Sequence, residues 1–322
     1  MVSKCFQVPI HGVIYMSGGT EVNNTIINVA VDNWWDKFNT IPYVITSKME
    51  HPSILKLLEH LQKKHKLLIH WMDICPKVGI VEHQKISDKT LMQTCLITIM
   101  AANNETGVIQ PVNEIFGDLK SKISKLHPTK YLPFFHSDAS QALGRINISE
   151  IFDMITVTGH KFGGPCIAAL ITKNEEFLKI LQQNPFIFGG GQEGGYRSGT
   201  ENLPMIAGLS VAIKWATENI LDFKKVSQIR DYFEIELIKK FGAKSFYQNS
   251  VRLPNTSSIC FPTYPGLAAE ILEKCDKIFA ASTGAACHSD GITLVFFNFL
   301  TLYNAGQKFT ETLKFIRDFG CF

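Results

Sequence analysis

What this 322-residue sequence lacks narrows its function before any motif is read. Its eight cysteines (Cys5, Cys75, Cys95, Cys166, Cys260, Cys275, Cys287 and Cys321) form no Cys-x-x-Cys pair. In a chain this long they read as free thiols in a reducing compartment, not as a disulfide framework. The ten histidines have no metal-like spacing, so no metal site is expected. No block of Lys and Arg stands out and the formal net charge is only +3, which argues against nucleic acid as a partner. The longest apolar run, Ile292–Tyr303, is interrupted by Asn298 and Thr301 and is too short to span a bilayer. The start of the chain has neither a signal-peptide core nor an Arg-rich amphipathic segment, so a cytosolic protein without a membrane partner is expected. Repeats and low-complexity segments are absent as well.

What is present suits a soluble globular protein, not a disordered one. With 45% hydrophobic and 19% charged residues, the chain can bury a large core, as two packed units more readily than one. Short β-branched or apolar runs mark strands at Tyr43–Thr46, Leu67–Met72, Thr94–Ala101, Phe134–Ser137, Ile151–Val157 and Ile167–Thr172. Amphipathic stretches such as Pro52–Lys64 and Val112–Leu126 lie between them. This alternation predicts an α/β fold with a mostly parallel sheet covered on both faces. From Met205 to Phe241 the pattern is helical, with a break near Leu221-Asp222, and then Leu253–Phe261 reads as extended and Leu267–Cys275 as helical. The expected division is a large α/β domain over 1–222 and a small α+β domain over 223–322.

Polar clusters follow the strands, where ligands of such sheets bind. Ser17-Gly18-Gly19-Thr20-Glu21 opens a helix and is either a phosphate-binding turn or an ordinary capped start. His51 is either a ring-stacking group or a helix-start histidine. Asp138 follows an apolar run where an unpaired carboxylate is costly, so it is either the partner of a cation such as a protonated pyridine nitrogen or a structural ion-pair or turn residue. Lys161, in Thr158-Gly159-His160-Lys161-Phe162-Gly163-Gly164-Pro165, follows a buried strand and is hemmed in by glycines. That placement suits an amine that forms a Schiff base. The stretch Gly189–Thr200 is either a flexible linker or a phosphate contact through Arg197, Ser198 and Thr200. Cys287, among small residues beside His288, is either an inert packing group or a working thiol.

Together these segments, in this order from about Met16 to Asp290, resemble the aminotransferase class V group of pyridoxal-phosphate enzymes, the cysteine desulfurases and selenocysteine lyases. Asn103-Asn104-Glu105-Thr106-Gly107, Arg252-Leu253-Pro254-Asn255-Thr256 and Gly284–Asp290 look more like the selenocysteine lyase branch. The resemblance implies a fold type I transferase with pyridoxal 5'-phosphate as cofactor, acting on L-selenocysteine and, as the alternative, on L-cysteine. It implies Lys161 as the Schiff-base lysine, Asp138 as partner of the pyridine nitrogen, Gln141 near the phenolic oxygen and His51 stacked on the ring. Gly19, Thr20, Thr158 and His160 would hold the phosphate and Asn104 would line the pocket. Thr200 would reach the phosphate of the neighbouring subunit of a homodimer. Cys287 would handle the departing chalcogen, with a selenium or sulfur acceptor protein as a further partner. Lys161 would move the Cα proton, and the products would be L-alanine and reduced selenium.

The pattern also breaks. The family's segment ahead of the phosphate-binding turn is missing, so a truncated or alternatively spliced form is expected. After Asp290 the chain reads Gly291-Ile292-Thr293-Leu294-Val295-Phe296-Phe297-Asn298-Phe299-Leu300, without the arginine that clamps the substrate carboxylate in the family. Arg317 is not assigned that role, and Gly194-Gly195 replaces a pair that usually includes arginine. Cofactor binding is therefore the stronger expectation. A third reading is a catalytically impaired isoform or paralogue that works as an interaction protein, and the apolar Ile292–Leu300 stretch is expected to leave an exposed patch or an unstable small domain.

Overall fold

The computed structural model describes residues 1–126, 132–148, 153–219, 223–264, 268–275, 281–282 and 294–298. The chain forms two compact units. The first comprises Met1–Pro76, Ile80–Ala102 and Gln110–Ile220; the second comprises Lys77–Gly79, Asn103–Ile109 and Leu221–Phe322.

The strands of the first unit are β1 (Val13–Met16), β2 (Tyr43–Ser47), β3 (Leu68–Ile74), β4 (Val81–Glu82), β5 (Thr94–Thr98), β6 (Phe134–Asp138), β7 (Met154–Thr158) and β8 (Ala168–Thr172). They form one sheet in the order β1-β8-β7-β6-β5-β2-β3-β4. β3, β2, β5, β6 and β7 pair in parallel, whereas β8 is antiparallel to both β7 and β1, and β4 is antiparallel to β3. The carboxyl ends of β1, β2, β5, β6 and β7 therefore share one edge.

The helices of this unit are α1 (Val2–Phe6), α2 (Gly19–Phe38), α3 (Pro52–Lys63), α4 (Asp88–Met92), α5 (Val112–Leu126), α6 (Glu175–Gln183) and α7 (Leu203–Glu218). Adjacent residues of one strand show how both sheet faces are covered. Phe134 meets Phe177 of α6 edge-on at 5.2 Å, and Phe135 meets Phe116 of α5 at 5.1 Å. Successive side chains of a strand point to opposite faces, so a strand buried on both must be apolar throughout. That is why the central strands stand out in the sequence.

Several boundaries move. β5 ends at Thr98, although Ile99 and Ala101 still donate to the carbonyls of His136 and Asp138. The expected start of β7 at Ile151 lies outside the described residues. The short antiparallel strand β1 is an addition.

In the second unit α8 (Phe223–Phe241), β9 (Lys244–Ser245), β10 (Thr256–Cys260), α9 (Ala268–Cys275) and β11 (Leu294–Asn298) make an α+β arrangement with sheet order β11-β10-β9. Its core joins Val226, Phe233, Leu237, Ile259, Phe261 and Ile271. The extended stretch begins at Thr256, not Leu253, because Pro254-Asn255 turns first. The helical break near Leu221-Asp222 and the helix start at Leu267 lie outside the described residues. Of Ile292–Leu300, only Leu294–Asn298 is described, where it forms β11 on β10. No described helix is long and apolar enough to cross a membrane.

Candidate active site

The site collects on the first unit's sheet edge. Gly18 caps α2 without a side-chain hydrogen bond, which leaves the first-turn N–H groups to an anion. Ser17 N–H is occupied separately, donating to Glu21 Oε2 at 2.8 Å. A Cβ on Gly19 would lie 2.5 Å from Thr158 Oγ1, so the helix start approaches β7 only because residue 19 has no side chain. Thr158 Oγ1 and Ser140 Oγ are 2.8 Å apart and complete a cradle of hydroxyls around that helix start. Thr20 is exposed beside it.

Asp138 ends β6 and is only 7% exposed. Its Oδ1 accepts from Ser140 N–H and its Oδ2 from Asn23 Nδ2, both at 2.9 Å. These donors are neutral. A buried carboxylate held by neutral donors at a ligand-binding edge fits a protonated ring nitrogen, while the bond from Ser140 N–H also gives Asp138 a part in the local turn. His51 caps α3 and accepts from Ser53 N–H at its Nδ1. Glu50, fully buried beside it, is pushed up to about 8 by burial despite its bond from Met100 N–H.

Lys161 lies half-buried in the tight turn Gly159–Phe162, closed by Gly163 at φ 84°. Arg145 fastens this turn to the one carrying Gln141: its Nη1 donates to the Gln141 carbonyl and its Nη2 to the Lys161 carbonyl, each at 2.6 Å. Burial lowers the Arg145 pKa to about 10. His160 has its pKa lowered by partial desolvation and then by the neighbouring Lys161.

Thr200 is exposed and lines a cavity of about 270 Å³ with Tyr15, Ser17, Cys166 and Arg197. Arg197 is engaged otherwise than the sequence suggested. Its guanidinium grips Glu21, Nε to Oε1 at 2.8 Å and Nη2 to Oε2 at 3.3 Å, so it ties the glycine-rich loop to α2 instead of offering a free phosphate ligand. Burial raises the Glu21 pKa, but the bonds from Arg197 and Ser17 outweigh it and hold the carboxyl below its ordinary value. Ser198 is buried and accepts from Gly191 N–H.

The structure thus brings Gly19, Thr20, His51, Asp138, Gln141, Thr158, His160 and Lys161 to one edge. Asn104 belongs to the second unit, in a turn where Asn103 Oδ1 accepts from the Glu105 and Thr106 N–H groups. Cys287 lies outside the described residues. Two residues escaped the sequence reading, Asn23 and Arg145. Each looks like an ordinary helix or turn residue until its distant partners are seen.

The aminotransferase class-V family matches residues 1–301, and the chain belongs to that family. More narrowly, it is 38% identical to the selenocysteine lyase of Xenopus laevis over 297 residues, covering 86% of this chain and 69% of the relative. The human selenocysteine lyase is 39% identical over 306 residues, covering 86% and 67%. A cysteine desulfurase of Gluconacetobacter diazotrophicus is 35% identical over 289 residues, covering 88% and 67%. Among solved structures, a NifS-like protein of Rickettsia africae superimposes with a TM-score of 0.77 at 27% identity, covering 98% of this chain and 86% of the other. The resemblance drawn from the motifs and the fold type I architecture are borne out.

Proposed function

We propose that this chain is a pyridoxal-phosphate-dependent selenocysteine lyase that converts L-selenocysteine to L-alanine and reduced selenium, with a thiol reductant supplying electrons for selenide. The observation that carries the reading is Asp138, a buried carboxylate with neutral protein donors at the edge that also holds Lys161 and the Gly19–Thr158–Ser140 cradle. The names of its selenocysteine lyase relatives support the substrate.

Bound pyridoxal phosphate supplies an electron sink that makes the substrate's Cα proton acidic and lets the β substituent leave. The chain's own residues do the rest. Asp138 would keep the ring nitrogen protonated and His51 would pack on the ring. Gly19, Thr20, Thr158 and His160 would hold the phosphate, and Gln141 would orient the phenolic oxygen. Lys161 Nζ would hold the cofactor through its aldehyde carbon and would move the substrate's Cα proton. Asn104 and Cys287 keep the roles implied by the family pattern, pocket lining and handling of the departing chalcogen. A selenol is ionised at neutral pH, whereas a thiol of pKa about 8.5 is mostly protonated, which gives the enzyme a basis for choosing selenium.

The working form is a homodimer in a reducing compartment such as the cytosol, with Thr200 reaching the partner's phosphate. Exposed Phe188, Leu203, Val211 and Trp215 support such an interface. A selenium acceptor protein is a further partner.

The test begins with purified protein and pyridoxal phosphate. Native chain acquires the absorption band of a lysine-bound cofactor, borohydride reduction fixes the adduct on Lys161, and Lys161→Ala abolishes both. A band without adduct at Lys161 overturns the lysine assignment. The 35% identity to a desulfurase favours cysteine as a second substrate, so alanine formed from selenocysteine and from cysteine is compared. Faster sulfide than selenide release makes the chain a desulfurase; a band without alanine makes it an impaired paralogue.

A further inference from the structure

Asn23 is 1% exposed and joins Asp138, Ser53 and Thr156. Its Nδ2 donates to Asp138 Oδ2 and to Ser53 Oγ, both at 2.9 Å, and its Oδ1 accepts from Thr156 Oγ1 at 2.7 Å. The amide cannot be turned round, because its oxygen would then face a carboxylate. Its orientation dictates those beyond it. Thr156 spends its hydroxyl proton on Asn23, so His136 Nε2, 3.0 Å away, is the donor to Thr156. His136 Nδ1 then accepts from Thr98, 2.8 Å away, and burial drives its pKa down to about 4.

On the other side, Ser53 Oγ accepts from Asn23 and directs its own proton to His51 Nδ1 at 2.8 Å. That nitrogen already accepts from Ser53 N–H, so the neutral His51 ring bears its proton on Nε2. Gly19 and Asn23 are one turn apart on α2, on the same helix face. The helix that offers its N-terminus to the phosphate therefore also sets the carboxylate for the far end of the same cofactor.

We propose that Asn23 is a positioning residue for pyridoxal phosphate: it fixes the Asp138 carboxylate directly and, through Ser53, the tautomer of His51. This rests on the reading of the site as a pyridoxal-phosphate site. Its direct route runs through Asp138, so the effects of removing the two side chains overlap.

The test is a double-mutant cycle on the full chain, read as the dissociation constant for pyridoxal phosphate. Asn23→Ala weakens binding roughly tenfold, as expected for a hydrogen bond to a charged group. Asp138→Ala weakens it further, and the double variant loses clearly less than the sum of the two single losses. The near-isosteric Asn23→Leu takes the place of the alanine variant if that one does not fold. Native affinity in both Asn23 variants, or losses that simply add, overturns the positioning role while leaving the function intact. No cofactor uptake by the native chain overturns the function and this inference together. Imidazole 15N spectra check the second branch: a proton on His51 Nδ1 overturns it.

Discussion

At the residue scale, the site position with little room for a side chain is Gly19. Adding one methyl group there places carbon 2.5 Å from Thr158 Oγ1, which is itself tied to Ser140. Gly19→Ala is expected to lower stability by about 1–3 kcal/mol and to weaken pyridoxal-phosphate binding, both measurable by melting with and without cofactor. Glu50 gives a pH prediction. Its Oε1 accepts from Met100 N–H and Ser47 Oγ, while Oε2 has no partner among the described residues, and burial raises its pKa from 4.5 to about 8. The native state thus keeps a proton that the unfolded chain releases above 4.5, so this group makes stability fall as pH rises from 4.5 towards 8. Glu50→Gln removes that slope: its melting temperature exceeds the native one by a margin that grows to about pH 8 and then levels. A constant difference across that range contradicts the assignment. Lys161 and Asp138 were legible in the sequence because a charge beside a buried strand is conspicuous. Asn23 and Arg145 were not, because their meaning lies in partners up to 133 positions away.

At the element scale, α2 and the two turns fastened by Arg145 set the geometry. Arg145 saturates the Gln141 and Lys161 carbonyls from a site only 6% exposed. Arg145→Leu leaves both without this donor and is expected to cost about 2–4 kcal/mol, with the Lys161 turn loosened. Amide hydrogen exchange checks this: residues 159–163 exchange faster than native while β6 keeps its protection. Central strands and long helices were readable because double burial makes a strand continuously apolar and single-sided burial gives a helix its 3.6-residue period. β1 was not, since four residues of an antiparallel edge strand carry too little pattern to separate from a loop.

At the scale of the whole molecule, the large first unit and its sheet edge follow from the alternation of elements along the chain. The excursions Lys77–Gly79 and Asn103–Ile109 into the second unit do not, because a contact-defined unit need not be continuous in sequence. The described part of the second unit holds a small apolar core and a buried ion pair: Arg252 donates to both oxygens of Glu234 at 2.8 and 2.9 Å, and Ser257 adds a third bond at 2.6 Å. Arg252 and Glu234 side chains are 2% and 1% exposed. Removing one charge strands the other in an apolar interior, so Glu234→Leu is expected to cost about 3–5 kcal/mol, whereas a matched replacement of both by apolar residues costs far less. Calorimetry distinguishes these: the single variant melts well below native and the double variant recovers most of the difference. Equal melting of the two variants shows that the pair contributes packing volume and not compensated charge.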